Sequence, residues 1–328
     1  MNDMECSLRK QLLEVLDNIT KMVNEDTYDP DIILDRAEQM IFALAQRETP
    51  QNATHVKNIL VDVFSDIHTA ATVALNGETT GLSTGFSSID NIIVGMNPGD
   101  LIVVGARPAM GKTAFAMNIA LNIAAKNKTV AVFSLELKEK QIVSRLLSSE
   151  AFVDSYKFKT GHLSDEDWTK LKEAGARLSE CDLHIYDDPN TTVTKMKAKL
   201  RKLKKLDLVI IDYLQLIQSE SSEIGHNLKI MAKEFGVPVI VMSQVARVEV
   251  SRKDKRPVLS DLRGPGTIKE DADVVMFLYR DDYRENMEND KRMKVIIAKN
   301  KHGAISQVEL GFEKKFTRFY DIDEIYRE

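Results

Sequence analysis

Apolar residues recur at helical spacing through the first 75 positions. Leu8, Leu12, Val15, Leu16, Ile19 and Val23 fall on one helical face. Ile33, Ala37, Ile41 and Leu44 form a second stripe after the start signal Asp29-Pro30-Asp31, and Val56, Leu60, Val63, Ile67 and Ala71 form a third. Thr49-Pro50-Gln51-Asn52 separates the last two. Stripes this narrow close only a small core, so at least one of these helices is expected to dock on another surface.

Past the polar, glycine-rich stretch NGETTGLSTG, which starts at Asn76, the period changes. Asp100–Gly105 reads as a strand before helix Lys112–Lys126, and Thr129–Ser134 as a strand before helix Glu139–Ser149. The run Leu183–Tyr186 precedes helix Val193–Leu206, and strands Leu208–Ile211, Val237–Met242, Val274–Leu278 and Met293–Ala298 follow. Strands apolar on both faces, alternating with helices, predict an α/β domain with a mainly parallel sheet. The expected division is a helical N-terminal extension over 1–76 and the α/β domain over 77–328.

A chain of 328 residues, 43% hydrophobic and 29% charged, has room for one large core and an appendage, and its composition is that of a globular protein. The net charge of -5 gives no global attraction to nucleic acid, so DNA binding would need a local basic stripe or a channel formed on assembly. Cys6 and Cys181 are far apart and outside metal-ligand spacing, which fits a reducing cytosol and argues against a zinc site. The longest apolar runs are strand-sized and the N-terminus has no secretion signal, so the expectation is a cytoplasmic protein without a membrane span.

Chemistry concentrates where strands are expected to end. Ala106–Thr113, ARPAMGKT, lies between a strand and a helix and fits a phosphate-binding loop with alanine replacing the usual first glycine; Gly105 sits one residue earlier. In such a loop the segment Ala106, Arg107, Pro108, Ala109, Met110 and Gly111 wraps around the phosphates and turns its backbone N–H groups, which Pro108 lacks, toward their oxygens, and Ala114 continues into the helix. Lys112 reaches the β- and γ-phosphates of ATP, and Thr113 holds Mg²⁺. Asp212 ends the buried run LDLVIID, where a carboxylate can hold the metal's water shell. Glu136 follows VFSL and Gln244 follows VIVMS; each could be a loop cap. Beside a phosphate loop, Glu136 reads as the base for the attacking water and Gln244 as a γ-phosphate sensor.

The segments ARPAMGKTAFAMNIA, FSLEL, LVIIDYLQLI, DKRPVLSDLR, DADVVMFLYRDDY and AKNKHG, in this order, resemble the successive motifs of the DnaB-type replicative helicases across roughly residues 80–320. The resemblance implies a RecA-like P-loop ATPase core. It also implies a homo-oligomeric ring, usually a hexamer, with ATP between subunits and single-stranded DNA threaded 5′ to 3′ through the centre. ILDRAEQMIFALAQ, which starts at Ile33, resembles the family's linker helix, and the globular domain that precedes it in typical members is expected to be missing. By the same resemblance Arg145 lies near the nucleotide base, or is simply an exposed helix charge. Arg263, Gly264 and Gly266, in DLRGPG, belong to the loop that grips the DNA backbone. Primase or a helicase loader are the implied partners.

The chain departs from the family pattern in three places. Where the family supplies an arginine finger, this chain reads Lys299-Asn300-Lys301, and lysine lacks the forked donor of guanidinium. The segment Ile217–Asn227 contains no lysine or arginine, with His226 where arginine is common, and Gly264 with Pro265 replaces the DNA-loop glutamate. The basic run Lys195–Lys205 reads as the solvated face of an amphipathic helix, and Trp168 as a packing residue. The reading is an ATP-dependent DNA helicase, with a RecA-fold ATPase that joins or modulates another ring without unwinding as the alternative.

Overall fold

The computed structural model describes residues 3–24, 56–75, 79–218, 223–245, 252, 254–262, 268–280 and 291–322, with isolated positions between 33 and 41. The chain divides into two compact units, Met1–His68 and Thr69–Glu328. Helix α1 (Asp3–Asn24) carries the first apolar stripe, with Leu12, Leu16 and Val23 exposed. Helix α2 (Val56–Leu75) carries the third, with Val56, Leu60, Val63 and Ile67 exposed. Of the second stripe, Ile33, Ala37 and Ile41 are helical, with Ile41 exposed, and Leu44 lies outside the described residues.

Nine strands build the larger unit: β1 (Leu101–Ala106), β2 (Val130–Ser134), β3 (Leu183–Tyr186), β4 (Leu208–Asp212), β5 (Val239–Gln244), β6 (Val274–Tyr279), β7 (Arg292–Asn300), β8 (Ser306–Glu313) and β9 (Arg318–Asp321). They form one sheet in the order β3-β2-β4-β5-β1-β6-β7-β8-β9. Pairing is parallel from β3 to β6 and antiparallel from β6 to β9.

Helices cover both faces, which is why the central strands read as unbroken apolar runs. On one face Ile102, Val104 and Ala106 of β1 join Phe115 and Ile119 of α4 (Lys112–Ala124), Ile142 of α5 (Glu139–Ala151) and Ile89 of the short helix α3 (Ser87–Ile93). On the other, Leu101 and Val103 join Leu228 and Met231 in Ile224–Phe235 and Met196 in Val193–Leu200. Asp321, buried at the end of β9, accepts the Ser87 N–H at 2.7 Å and the Ser88 N–H at 3.3 Å, so the last strand caps α3 from 234 residues away.

Three details depart from the sequence reading. The strands β8 and β9 were not legible as strands, because β8 buries only Leu310 and Gly311 and shows no clean alternation. The helix from Val193 stops at Leu200 rather than Leu206, continuing as turns through Leu203. Trp168 is 52% exposed on the first turn of helix Asp165–Ser179, so it is no core residue.

Gly105 also acquires a physical role. A Cβ there would lie 2.7 Å from the Phe277 ring of β6 and 3.0 Å from Leu262, so the glycine lets an aromatic lie flat on the central strand. Overpacking a sealed core costs about 1–3 kcal/mol. Gly105→Ala should therefore lower the denaturant midpoint by a corresponding amount, and an unchanged midpoint would show that Phe277 has room to give way.

Candidate nucleotide site at the carboxyl ends of four strands

The sheet order sets β2, β4, β5 and β1 side by side and parallel, so their carboxyl ends form one continuous edge. Register aligns them in pairs, Ser134 with Asp212 and Ala106 with Gln244, and Ile211 pairs with Val241, so β5 runs two residues past β4. This carboxyl edge is where doubly wound sheets bind ligands.

The phosphate loop follows β1. Met110 N–H donates to the Arg107 carbonyl at 3.3 Å, closing the turn around Pro108 and Ala109. Ala109 (φ 66°) and Gly111 (φ 80°) are both left-handed. The conformation is free for glycine but costs alanine about 1–2 kcal/mol, a strain found preferentially at ligand loops. Gly111 is tight for a second reason: a Cβ there would meet the Phe312 ring at 3.0 Å, and Phe312 stacks on Phe319 at 4.3 Å. The late hairpin β8–β9 thus floors the loop. The N-cap of α4 is Gly111, which has no side chain to cap the first-turn N–H groups, Ala114 among them, an arrangement that suits an anion.

Lys112 and Thr113 both turn to Asp212, which is 1% exposed. The Thr113 hydroxyl donates to Asp212 Oδ2 at 2.6 Å, and the Lys112 ammonium stands 3.3 Å from Oδ1. Burial pushes the Lys112 pKa down, and the Asp212 and Glu136 carboxylates oppose that shift. The ammonium also lies 3.8 Å from the centre of the Tyr213 ring. Asp212 Oδ1 accepts no well-formed hydrogen bond although it is sealed from solvent. An under-coordinated carboxylate oxygen beside a threonine hydroxyl is the hard oxygen set that Mg²⁺ takes in nucleotide sites, so these residues fit that ion.

Glu136, exposed just beyond β2, acts electrostatically on both Lys112 and Tyr213, which places its carboxylate at the same crevice. Leu135 N–H donates to the Asp212 carbonyl at 2.8 Å and steadies that exit. Gln244 closes β5, and its backbone N–H donates to Gln215 Oε1 at 3.3 Å. Gln215 also donates to Ser243 Oγ at 3.0 Å. The sequence reading did not single out Tyr213 or Gln215; their signal was their place directly after Asp212, with Gln215 two residues beyond Tyr213.

Other expected site residues lie elsewhere. Arg145 sits on α5 beside the turn before β9, its carbonyl accepting the Thr317 hydroxyl at 3.4 Å. Lys301 donates to Asp273 Oδ1 at 2.8 Å, and Lys299 to the Lys269 and Glu270 carbonyls, both at 2.9 Å. Asp273 immediately precedes β6 and accepts the Leu101 N–H at 2.8 Å. The two lysines therefore lie at the amino end of β1 and Lys112 beyond its carboxyl end, separated by roughly 17 Å at ~3.3 Å per residue. Arg263, Gly264 and Gly266 lie outside the described residues. In the basic run, Lys197 and Arg201 pair with Glu234 at 2.8 and 3.0 Å and Lys199 with Asp188 at 3.5 Å, in keeping with a charge-balanced surface.

A strand–loop–helix phosphate cradle, with Glu, Asp and Gln on neighbouring strand ends, defines a RecA-like P-loop ATPase. Residues 81–321 match the DnaB-like helicase C terminal domain. The chain is 40% identical to the replicative DNA helicase DnaB of Geobacillus stearothermophilus, over 97% of this chain and 74% of that one. It is 39% identical to the replicative DNA helicase DnaC of Bacillus subtilis (strain 168), over 96% and 73%. Among solved structures it resembles a DnaB-like replicative helicase studied for its interactions with primase (TM-score 0.79, 31% identity, 97% of this chain and 76% of that one). It also resembles a separately solved ATPase domain (TM-score 0.76, 34% identity, 83% and 100%). The chain belongs to the DnaB-like helicase family, and its enzyme class is that of an ATP-hydrolysing DNA helicase.

Lys112→Ala should nearly abolish ATP hydrolysis, since single contacts to the transferred phosphoryl group are worth ~10²–10³ in rate. Retention of more than about a tenth of the rate would exclude this lysine from the phosphate site. Glu136→Gln should keep nucleotide binding and lose turnover; loss of both would make Glu136 structural.

Proposed function

We propose that the chain works as a ring, with a hexamer as the expected form, that binds ATP and Mg²⁺ at subunit interfaces. The ring moves 5′ to 3′ along single-stranded DNA and parts the duplex by excluding one strand. The observation that carries this reading is the placement of Lys299 and Lys301 at the opposite end of β1 from Lys112. Lysines so far from their own phosphate loop can reach a γ-phosphate only in a neighbouring subunit, so the site is completed by assembly.

Within one interface the work divides by geometry. The loop 106–111 and the first turn of α4 hold the phosphates, and Lys112 neutralises charge on the β- and γ-phosphates. Thr113 and Asp212 would hold Mg²⁺, which when bound supplies charge neutralisation between the phosphates. Glu136 orients the attacking water and takes its proton, and Gln244 registers the γ-phosphate at the end of β5. Val245, next in the chain, bridges to Leu262, so the sensor adjoins the segment leading into Arg263, Gly264 and Gly266. These three are proposed to contact the DNA backbone, and Arg145 to lie near the nucleotide base.

A helical extension over 1–76 and a motor over 77–328 is the proposed division, with primase or a loader as partners and the bacterial or phage-infected cytoplasm as the setting. Among the described residues no helix is long and apolar enough to cross a membrane. A second reading, an ATPase that joins or modulates another ring without unwinding, is favoured by the lysine at 301 and by the lack of any lysine or arginine in the sequence of 217–227.

Purified protein on forked substrates decides between them: displacement that requires a 5′ tail supports the helicase, and ATPase without displacement supports the second reading. Interface hydrolysis has its own test. Lys301→Ala should lower turnover only in the assembled state, and mixing it with Lys112→Ala should restore part of the activity, because mixed rings contain one intact interface type. Normal hydrolysis by Lys301→Ala at every protein concentration would remove the trans role.

A further inference from the structure

Lys301 stands on the tip of the hairpin β7–β8, where every residue from Lys301 to Gln307 is exposed. An exposed tip keeps a fixed shape only where it is tied back to the body of the domain. The two residues that flank Lys301 make such ties. The Asn300 amide donates to the Ile92 carbonyl of α3 at 3.3 Å and to the Ala304 carbonyl at 3.1 Å. His302 Nε2 donates to Asp100 Oδ1 at 2.9 Å, and its backbone N–H donates to Asn300 Oδ1 at 3.0 Å, which joins the two ties. Resting on the trans reading of Lys301 proposed above, we infer that His302 is a positioning residue: its bond to Asp100 ties the hairpin tip to the foot of β1 and sets where Lys301 presents its ammonium to the next subunit.

Asp100 is a firm anchor because it is itself fixed. It stands immediately before β1, is 4% exposed, and its Oδ2 accepts the Asn97 N–H at 3.0 Å and the Asn97 amide at 3.3 Å. Its carbonyl accepts the Val239 N–H at 2.8 Å, which joins it to β5. Oδ1 is the oxygen that His302 takes; a carboxylate oxygen only accepts, so Nε2 carries the imidazole proton. The tie matters because of what Lys301 has to do. Its ammonium holds Asp273 and must leave that carboxylate to reach a phosphate in a neighbouring subunit. Lysine is a point charge on a flexible four-carbon stem, without the rigid fork of arginine. Its reach is defined only if the backbone that bears it stays in place when the ammonium lets go. The Asn300 and His302 ties do not use the ammonium, so they survive the exchange. Asn300 alone would hold the tip from one side; His302 holds the other, on the strand whose far end leads to the phosphate loop.

His302→Ala removes the tie and keeps the lysine. KM for ATP should stay within about twofold, because the phosphate loop is untouched, while kcat of the assembled protein falls about tenfold, the scale on which small misplacements act. His302→Gln carries an amide N–H the same number of bonds from Cα as Nε2, and should recover most of that loss. Mixing His302→Ala with Lys112→Ala should give more turnover than the two measured apart. In the mixture the Lys112→Ala subunit lends an intact tip to a neighbour with an intact phosphate loop. A double-mutant cycle tests the route: if His302 acts through Lys301, the double variant with Lys301→Ala is no slower than Lys301→Ala alone.

Turnover by His302→Ala at the unmodified rate overturns the inference, as do additive losses in the cycle or a defect that mixing does not relieve. So does a fall in kcat and affinity together with a Tm lowered by more than about 5 °C, which marks a packing residue. The Lys301→Ala protein separates this inference from the reading beneath it. If it hydrolyses ATP normally at every protein concentration, the trans lysine is misread and the role of His302 falls with it. If Lys301→Ala is impaired and relieved by Lys112→Ala while His302→Ala is unimpaired, only the role of His302 falls. Should His302→Ala fail to fold, His302→Phe, which keeps a ring and lacks the N–H, takes its place in every arm.

Discussion

A buried negative charge is the constraint around which this structure is arranged. Asp212 ends β4 with its carboxylate sealed from solvent, and a carboxylate taken out of water is strongly unfavourable unless paired and hydrogen-bonded. The compensation comes from Thr113 and Lys112, consecutive residues at the start of α4. They can face Asp212 only if α4 begins where it does, which requires the left-handed turn at Gly111. That turn leaves no room for a Cβ above Phe312, so the loop is also tied to the aromatic floor of β8–β9. Removing any one of these supports leaves the carboxylate short of a partner.

A second buried aspartate does the corresponding work at the other end of β1. Asp273 accepts the Leu101 N–H and the ammonium groups of Lys229 and Lys301. Burial alone would raise its pKa, and these donors outweigh it, holding the carboxyl below its ordinary range. Asp273 thus pins the amino end of β1, while Asp212 holds the start of α4, which follows the loop leaving the strand's carboxyl end. The six residues of β1 set a fixed spacing between the phosphate loop and the lysines of KNK.

Much of this was legible in the sequence because the central strands are buried on both faces. A run such as LVIID has only one reading once helices flank it, and the residue after the run must be the strand's end. Lys112, Thr113, Asp212, Glu136 and Gln244 were placed by that logic, and the structure brings them to one crevice. The logic fails where burial is one-sided. β8 and β9 sit on the antiparallel flank with only four of their twelve residues buried; β8 has no clean alternation and β9 is four residues long, yet they supply Phe312, Phe319 and the Asp321 cap. Trp168, read as a packing residue because Asp165, Glu166 and Asp167 surround it, is exposed, and its helix buries Leu171 and Ala174 instead. Tyr213 and Gln215 were hidden because their partners come from α4 and β5, and no local pattern records a contact between strands.

The lysine at 301 is informative for what the structure asks of it. Its ammonium is spent on Asp273, and a trans role requires exchanging that carboxylate for a phosphate on the next subunit. Such an exchange is unfavourable if it strands a buried charge. Here it does not: Asp273 keeps the Leu101 N–H and the Lys229 ammonium, and Lys229 is held in place by the Gly99 carbonyl at 2.7 Å. Lys301 is itself about half exposed, 48%, so it can leave with little desolvation to recover. Lys299 is the opposite case, with burial lowering its pKa and two backbone carbonyls holding its ammonium. Of the two lysines, Lys301 is the one the fold leaves able to move, and Lys299 the one it keeps as a fixed charge at the same edge.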